Sequence, residues 1–141
     1  MIGADRVGTI ARVPTLRNDP RDDLVAIEYH DRDTAERTAR EFDVPHACTT
    51  ADQVLDLGGL DAAVVRSTPH LHYPQAKAAL ERVLHILVEK PMTFTVEQVQ
   101  TLVELAAQQD RQLIIGCTFH ITNHAAEAQG LIRDSELGQI K

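Results

Sequence analysis

Two short apolar runs, Asp61-Ala62-Ala63-Val64-Val65 and Val83-Leu84-His85-Ile86-Leu87-Val88, flank an alanine-rich segment, Gln75 to Glu81, that opens at Pro74. Runs this short and this apolar suit strands buried on both faces. Proline is welcome in a first helical turn, where its missing amide costs no bond, so the spacing predicts a helix from Pro74 onward. Strand, helix and strand in this order define a crossover unit whose two strands run parallel.

The same alternation extends in both directions. Leu24-Val25-Ala26-Ile27 reads as an earlier strand, followed by a helix that Asp33 or Thr34 caps and that runs through Phe42 to the Val44-Pro45 break. Thr50-Ala51-Asp52-Gln53 and Thr95-Val96-Glu97-Gln98 have the polar spacing of capping boxes. The first opens a helix that stops at Gly58-Gly59, and the second opens one whose apolar residues Val96, Val99, Leu102, Val103 and Ala106 repeat at helical spacing. Leu113-Ile114-Ile115 is the next strand, and Ala125 to Arg133 the last helix. The fold class is therefore α/β, a Rossmann-like doubly wound parallel sheet with helices on both faces, in a single domain over residues 1–141. A chain of 141 residues supports one core of this kind and no more.

Composition excludes whole classes of function. No run approaches the ~18 apolar residues of a membrane span. Asp plus Glu number 21 against 14 Lys plus Arg, a net charge of −7, and no basic stripe offers the phosphate contacts that nucleic-acid binding needs. The start of the chain carries Asp5 and Arg6 where a secretion signal would be apolar. Two cysteines, Cys48 and Cys117, without metal-like spacing fit a reducing, cytoplasmic setting. His120 and His124 lack a third ligand at zinc spacing, so no metal site is expected, and His30, His46 and His85 read as structural or surface residues.

Doubly wound sheets bind ligands beyond the carboxyl ends of their strands. The residues there are Glu28 to Asp31, Ser67 to His72, Glu89-Lys90-Pro91, and Cys117 to His120. Gly3-Ala4-Asp5-Arg6-Val7-Gly8 has the spacing of a dinucleotide fingerprint with Asp5 in place of the middle glycine. An acidic residue some 20 positions on would hold the adenosine ribose, and Glu28 and Asp31 are the candidates. Ser67, Thr68, Pro69, His70 and His72 gather hydroxyls and imidazoles at one such edge, either as a ligand loop or as a plain polar turn. Lys90 is one of three lysines, with Lys77 and Lys141, and follows a strand directly before a proline. Only Met1-Ile2 precedes the fingerprint, so the first and central strand is expected to be largely missing.

In this order the motifs resemble the N-terminal half of the glucose–fructose oxidoreductase/inositol dehydrogenase family, written Gfo/Idh/MocA, over essentially the whole chain. Gly3 to Gly8 and then Val13-Pro14-Thr15-Leu16 are similar to its fingerprint and first helix. Asp61 to Val65, leading to Thr68-Pro69 and Leu71-His72, is similar to its nucleotide loop. Val88-Glu89-Lys90-Pro91-Met92 resembles its E-K-P signature, and Ser135 to Ile140 its crossover into a second domain. The resemblance implies a dehydrogenase domain using NAD or NADP to move a hydride to or from a sugar, polyol or related hydroxyl compound. It implies that Lys90 is the catalytic lysine at the reacting hydroxyl and that Gly3, Ala4, Asp5, Arg6 and Val7 hold the pyrophosphate. Ser67, Thr68, Pro69 and His72 would lie along the cofactor, with Glu89 near the nicotinamide. It further implies that the C-terminal α+β domain, with the substrate pocket, is absent, that the chain is truncated at both ends, and that full-length relatives form homo-oligomers.

Several residues depart from the family pattern. Asp5 replaces a glycine. Tyr29 stands where the ribose-binding acid is common, leaving Glu28 or Asp31 to serve and the choice of NAD or NADP open. The loop from Thr68 to His72 is one residue shorter than the common pattern, and Arg66 stands where that strand is usually apolar. A non-catalytic nucleotide-binding or regulatory relative is the alternative reading. An unrelated receiver-like domain is a third, and it needs an acidic cluster on a first strand that the chain does not show.

Asp5 sets the sharpest expectation. A carboxylate beside a phosphate at ~4 Å costs about 1 kcal/mol in water and about 4 kcal/mol at an effective dielectric of 20, or roughly fivefold to several hundredfold in affinity. NAD(P) binding by this chain is expected to be weak, and Asp5→Gly to tighten it at least several-fold in calorimetric titration. No gain on substitution would remove Gly3 to Gly8 from the cofactor site.

Overall fold

The computed structural model describes residues 1–3, 13–117, 122–134 and 138. Six helices and five strands alternate among the described residues: α1 (Val13–Asn18), β1 (Ala26–Glu28), α2 (Arg32–Glu41), β2 (His46–Cys48), α3 (Ala51–Leu55), β3 (Ala62–Val65), α4 (Pro69–Glu81), β4 (His85–Glu89), α5 (Val96–Gln108), β5 (Leu113–Gly116) and α6 (Asn123–Arg133). Every ladder is parallel. β1 pairs with β2 in one sheet, and β3, β4 and β5 pair in that order in another. The doubly wound α/β expectation holds.

Met1 and Ile2 join the two sheets. On one side the Met1 amine donates to Ala26 O at 2.6 Å and Glu28 N donates to Met1 O at 2.9 Å. On the other, Ile2 N donates to Val64 O and Arg66 N to Ile2 O, both at 2.8 Å. The strand order is thus β2-β1-(Met1–Ile2)-β3-β4-β5, with Met1 and Ile2 at the central position. Alternation along each strand feeds two cores. Ile2, Ala26, Ala63 and Val65 face α3, α4 and α5, while Met1, Ile27 and Val64 face Val13 of α1 and Ala39 of α2. On β5, Ile114 and Ile115 are exposed. No helix among the described residues is long and apolar enough to cross a membrane.

Several boundaries differ from the sequence expectation, each for a local reason. α4 begins at Pro69 and contains Pro74, which the sequence placed at the start. Thr68 and Pro69 supply the cap and first position, and His72, Ala76, Ala79 and Leu80 form one buried face that starts a turn earlier than the alanines. That packing outweighs the one amide bond that Pro74 gives up. α2 is capped by Asp31, not by Asp33 or Thr34, because the Asp31 carboxylate accepts the Thr34 amide at 2.8 Å. β2 was not expected at all. It is three residues long with only Cys48 buried, so it carries no periodicity.

β4 starts at His85, since Val83 belongs to the turn that ends α4: its amide bonds Leu80 O, and Leu84 N bonds Ala79 O. Val83 has φ 61°, the left-handed region that a β-branched residue enters at a cost, and it is 40% exposed. Val83→Gly is expected to raise stability by about 1 kcal/mol, because it relieves this strain and gives up little buried surface. A urea midpoint below that of the parent chain would contradict this.

The Met1 amine gives stability a pH dependence. Burial lowers it from 8.0 to about 6, against weaker opposing effects of Cys48 and Glu28. Between pH 8 and about 6 the unfolded chain takes up a proton that the folded chain refuses, so stability rises as pH rises through this window. At about 1.4 kcal/mol per pKa unit, the group's contribution grows by about 2 kcal/mol from pH 6 to pH 8. Urea denaturation of the 141-residue chain with a free amine should show this slope, and an N-acetylated chain should lack it. Equal slopes in the two would place the amine in water.

Candidate functional site

The strand order reverses at Met1–Gly3, and a cleft of about 690 Å³ opens there at the carboxyl ends of the strands. Gly3 makes the cleft possible. Its φ is +75°, and a Cβ built on it would lie 2.2 Å from Ser67 N and 2.4 Å from Ser67 Cα. Only a residue without a side chain lets the chain cross the Ser67 backbone so closely. The Gly3 amide then donates to Glu28 Oε2 at 2.7 Å, which anchors a carboxylate that is 8% exposed at the end of β1.

Glu28, Tyr29, His30 and Asp31 form one wall of the cleft; Arg66, Ser67, Thr68 and Pro69 form the other. Asp31 is exposed, and hydrogen bonds from the Thr34 side chain and amide hold its carboxyl below the usual carboxylate range. On the second wall, Ser67 Oγ donates to Gln75 Oε1 from α4. Thr68 is the N-cap of α4 yet makes no side-chain cap bond, so its hydroxyl faces His70 Nε2, 3.5 Å away. A smaller cavity of about 420 Å³ lies at the opposite ends of the strands, near Arg21, Asp22 and Leu60. Ligands of doubly wound sheets bind at the carboxyl ends, which favours the cleft at Gly3.

Glu89 ends β4 and turns toward Arg66, with Arg66 Nε 3.7 Å from Glu89 Oε1 and the side chains only 12% and 16% exposed. Arg66 Nε is buried and has no hydrogen-bond partner among the described residues. Gly116, at the end of β5, makes room for this arrangement: a Cβ there would stand 3.0 Å from the Glu89 carboxylate. The carboxylate thus bridges the ends of β3 and β5. Lys90 is exposed and makes no hydrogen bond or ion pair with any described residue. An ammonium in that position is available to a bound oxygen.

His72 is placed differently from the sequence expectation. It is 1% exposed and lies behind the second wall, where its ring nitrogens bond the carbonyl oxygens of Ser67 and Pro91, both at 2.7 Å. With both nitrogens engaged, it does not line the cleft. The structure brings Gly3, Glu28, Asp31, Ser67, Thr68 and Pro69 together, with Arg66 linking that wall to Glu89. Ala4, Asp5, Arg6, Val7 and His120 lie outside the described residues. Sequence reasoning missed Gln75 and Gly116; a glycine closing an apolar strand was the one available signal for the second.

A parallel sheet with a glycine crossover and a buried carboxylate at its switch point defines a doubly wound nucleotide-binding domain. Residues 1–117 match the family described as "Oxidoreductase family, NAD-binding Rossmann fold", GFO_IDH_MocA, and the chain belongs to that family. It is 32% identical over 143 residues to the dTDP-3,4-didehydro-2,6-dideoxy-alpha-D-glucose 3-reductase of Streptomyces antibioticus, covering 100% of this chain and 43% of the relative. It is 30% identical over 134 residues to the uncharacterized oxidoreductase sll0816 of Synechocystis, covering 95% of this chain and 36% of the relative. Among solved structures, the 3-ketoreductase KijD10 of Actinomadura kijaniata in complex with NADP superposes with a TM-score of 0.88 at 23% identity, covering 99% of this chain and 44% of that one. Scyllo-inositol dehydrogenase of Lactobacillus casei, with bound NAD(H) and scyllo-inositol, gives 0.84 at 20% identity, covering 99% and 41%. The chain spans about two fifths of the length of the relatives it matches.

The Arg66–Glu89 contact is testable by a double-mutant cycle. Arg66→Met and Glu89→Gln are each expected to cost about 1–3 kcal/mol in urea denaturation, because each leaves a largely buried polar partner behind. The double variant should cost less than the sum, with a coupling of at least about 0.5 kcal/mol. Strict additivity would mean that the two charges do not interact.

Proposed function

We propose that the cleft at Gly3 holds NAD or NADP and that the chain is the cofactor-binding part of an oxidoreductase acting on a sugar, polyol or related hydroxyl compound. The observation that carries this reading is the Gly3 crossover, where a close-packed backbone and the buried Glu28 carboxylate meet the Ser67–Pro69 wall. The crossing sets Gly3 against Ser67 at the carboxyl ends of the strands, where a doubly wound sheet receives a pyrophosphate. The family match and the NAD(H)- and NADP-bound neighbours support the same cofactor class.

Each residue has a role in this reading. Glu28 accepts from the adenosine ribose with the carboxylate oxygen that Gly3 leaves available, and Asp31 lies beside it. Gly3 with Ala4, Asp5, Arg6 and Val7 follows the pyrophosphate. Ser67, Thr68 and Pro69 form the wall along the cofactor. Lys90 places its ammonium at the reacting oxygen of the substrate, where it stabilises developing negative charge and takes part in proton transfer. Glu89, tied to Arg66, borders the nicotinamide end. The bound nicotinamide supplies the hydride chemistry. Exposed Ile114 and Ile115 on β5 support contact with a further domain carrying the substrate pocket. The free thiols of buried Cys48 and exposed Cys117 support a reducing, cytoplasmic setting.

Titration with NADH and NADPH, followed by calorimetry or nicotinamide fluorescence, tests the reading. Glu28→Gln is expected to weaken NADH by about tenfold, the scale of one charge-assisted hydrogen bond. Lys90→Ala should leave cofactor affinity within about twofold, because its ammonium addresses the substrate. The 141-residue chain should show no polyol-dependent NAD(P) reduction. Saturable binding that is indifferent to Glu28 would move the cofactor elsewhere, and no binding even with Asp5→Gly would overturn the reading.

A further inference from the structure

The buried histidine of α4 ties the Ser67 wall to the Lys90–Pro91 turn by hydrogen bonds, beside the Arg66–Glu89 ion pair that spans the same gap. His72 is 1% exposed, and its acceptors are both main-chain carbonyls: Nε2 bonds Ser67 O and Nδ1 bonds Pro91 O, each at 2.7 Å. Carbonyl oxygens only accept, so the ring binds each of them by donating an N–H. Ser67 belongs to the wall that Gly3 crosses, 2.2 Å from a Cβ position. Pro91 follows Lys90 directly. The contacts therefore run Gly3, Ser67, His72, Pro91, Lys90, from the floor of the cleft to the exposed ammonium.

A histidine buried for packing alone would not aim both nitrogens at carbonyls of two separate loops. The rest of the buried face of α4 is Ala76, Ala79 and Leu80, so an apolar residue would suit the core at this place. We propose that His72 is a positioning residue: it fixes the Ser67 wall and the Lys90–Pro91 turn at one separation, so that the lysine is held in register with the cofactor wall. Its link to catalysis rests on the role of Lys90 proposed above, whereas the strut itself rests on the two hydrogen bonds.

Two substitutions separate positioning from packing. His72→Phe keeps a ring and loses both bonds; His72→Gln loses ring shape but still reaches one carbonyl. For a strut, backbone order at Lys90 and Met92, read from nitrogen relaxation, falls further in the Phe variant than in the Gln variant. NADH affinity, read in the Asp5→Gly background, follows the same ranking, with losses of about fivefold for Gln and about 25-fold for Phe, at one net hydrogen bond per step. For a packing residue the ranking reverses, with Phe tolerated and Gln disruptive, and this result would overturn the proposal. A measurement on the unaltered chain does not depend on either variant folding: the carbonyl carbons of both Ser67 and Pro91 should show the deshielding of hydrogen-bonded carbonyls. Its absence at either would also overturn the proposal. Failure of the Asp5→Gly chain to bind NADH, with carbonyl shifts and backbone order as expected, would count against the cofactor reading and leave the strut standing.

Discussion

Four backbone hydrogen bonds at Met1 and Ile2 hold this fold together. Two reach β1 and two reach β3 and its end, and without them the pair β1–β2 and the triplet β3–β4–β5 share no strand ladder. Among the described residues, Met1 and Ile2 carry this connection. Ile2 is fully buried among Ala26, Ala63 and Val65, so apolar packing reinforces the same seam. The buried Met1 amine strains it, because an ammonium favours water.

The candidate site is a direct consequence of that seam. Strand order reverses there, so the crossovers on either side diverge and leave the cleft between them. Gly3 then enters the cleft over Ser67 and hands its amide to Glu28, which makes backbone geometry and carboxylate position inseparable. Charge is arranged with similar economy. Glu28 and Asp31 make one end acidic, the Arg66–Glu89 pair lies across the ends of β3 and β5, and Lys90 stands exposed next to it. Behind the second wall, His72 bonds the carbonyl oxygens of Ser67 and Pro91.

Much of the fold was legible because its signals are local. Thr50 and Thr95 cap α3 and α5 as their spacing implied, with Gln53 and Gln98 amides donating to the threonine hydroxyls. The apolar strands β3, β4 and β5 read directly from composition. What escaped was set by tertiary contacts. β2 is held by pairing with β1 and has no pattern of its own. Pro74 is carried inside α4 by the packing of His72 and Ala76, which a rule about proline alone does not see. Glu28 and the Ser67–Pro69 loop line a cleft at the strand ends, the place where ligands of such sheets gather. The inward turn of His72 was not, since a polar residue in a polar loop gives no sign of which way it faces.

Native-state hydrogen exchange tests the central claim, that the Met1–Ile2 seam joins the two sheets as one cooperative unit. The amides of Ile2, Glu28 and Arg66 are the donors of three of its four bonds. They should exchange only through global unfolding, with the same opening free energy and denaturant dependence as the amides of Ile86 and Val88 in β4. Faster exchange at Ile2 and Glu28, by a local opening that leaves β3–β4–β5 protected, would mean that the seam frays independently. The cleft would then not be a fixed part of the fold.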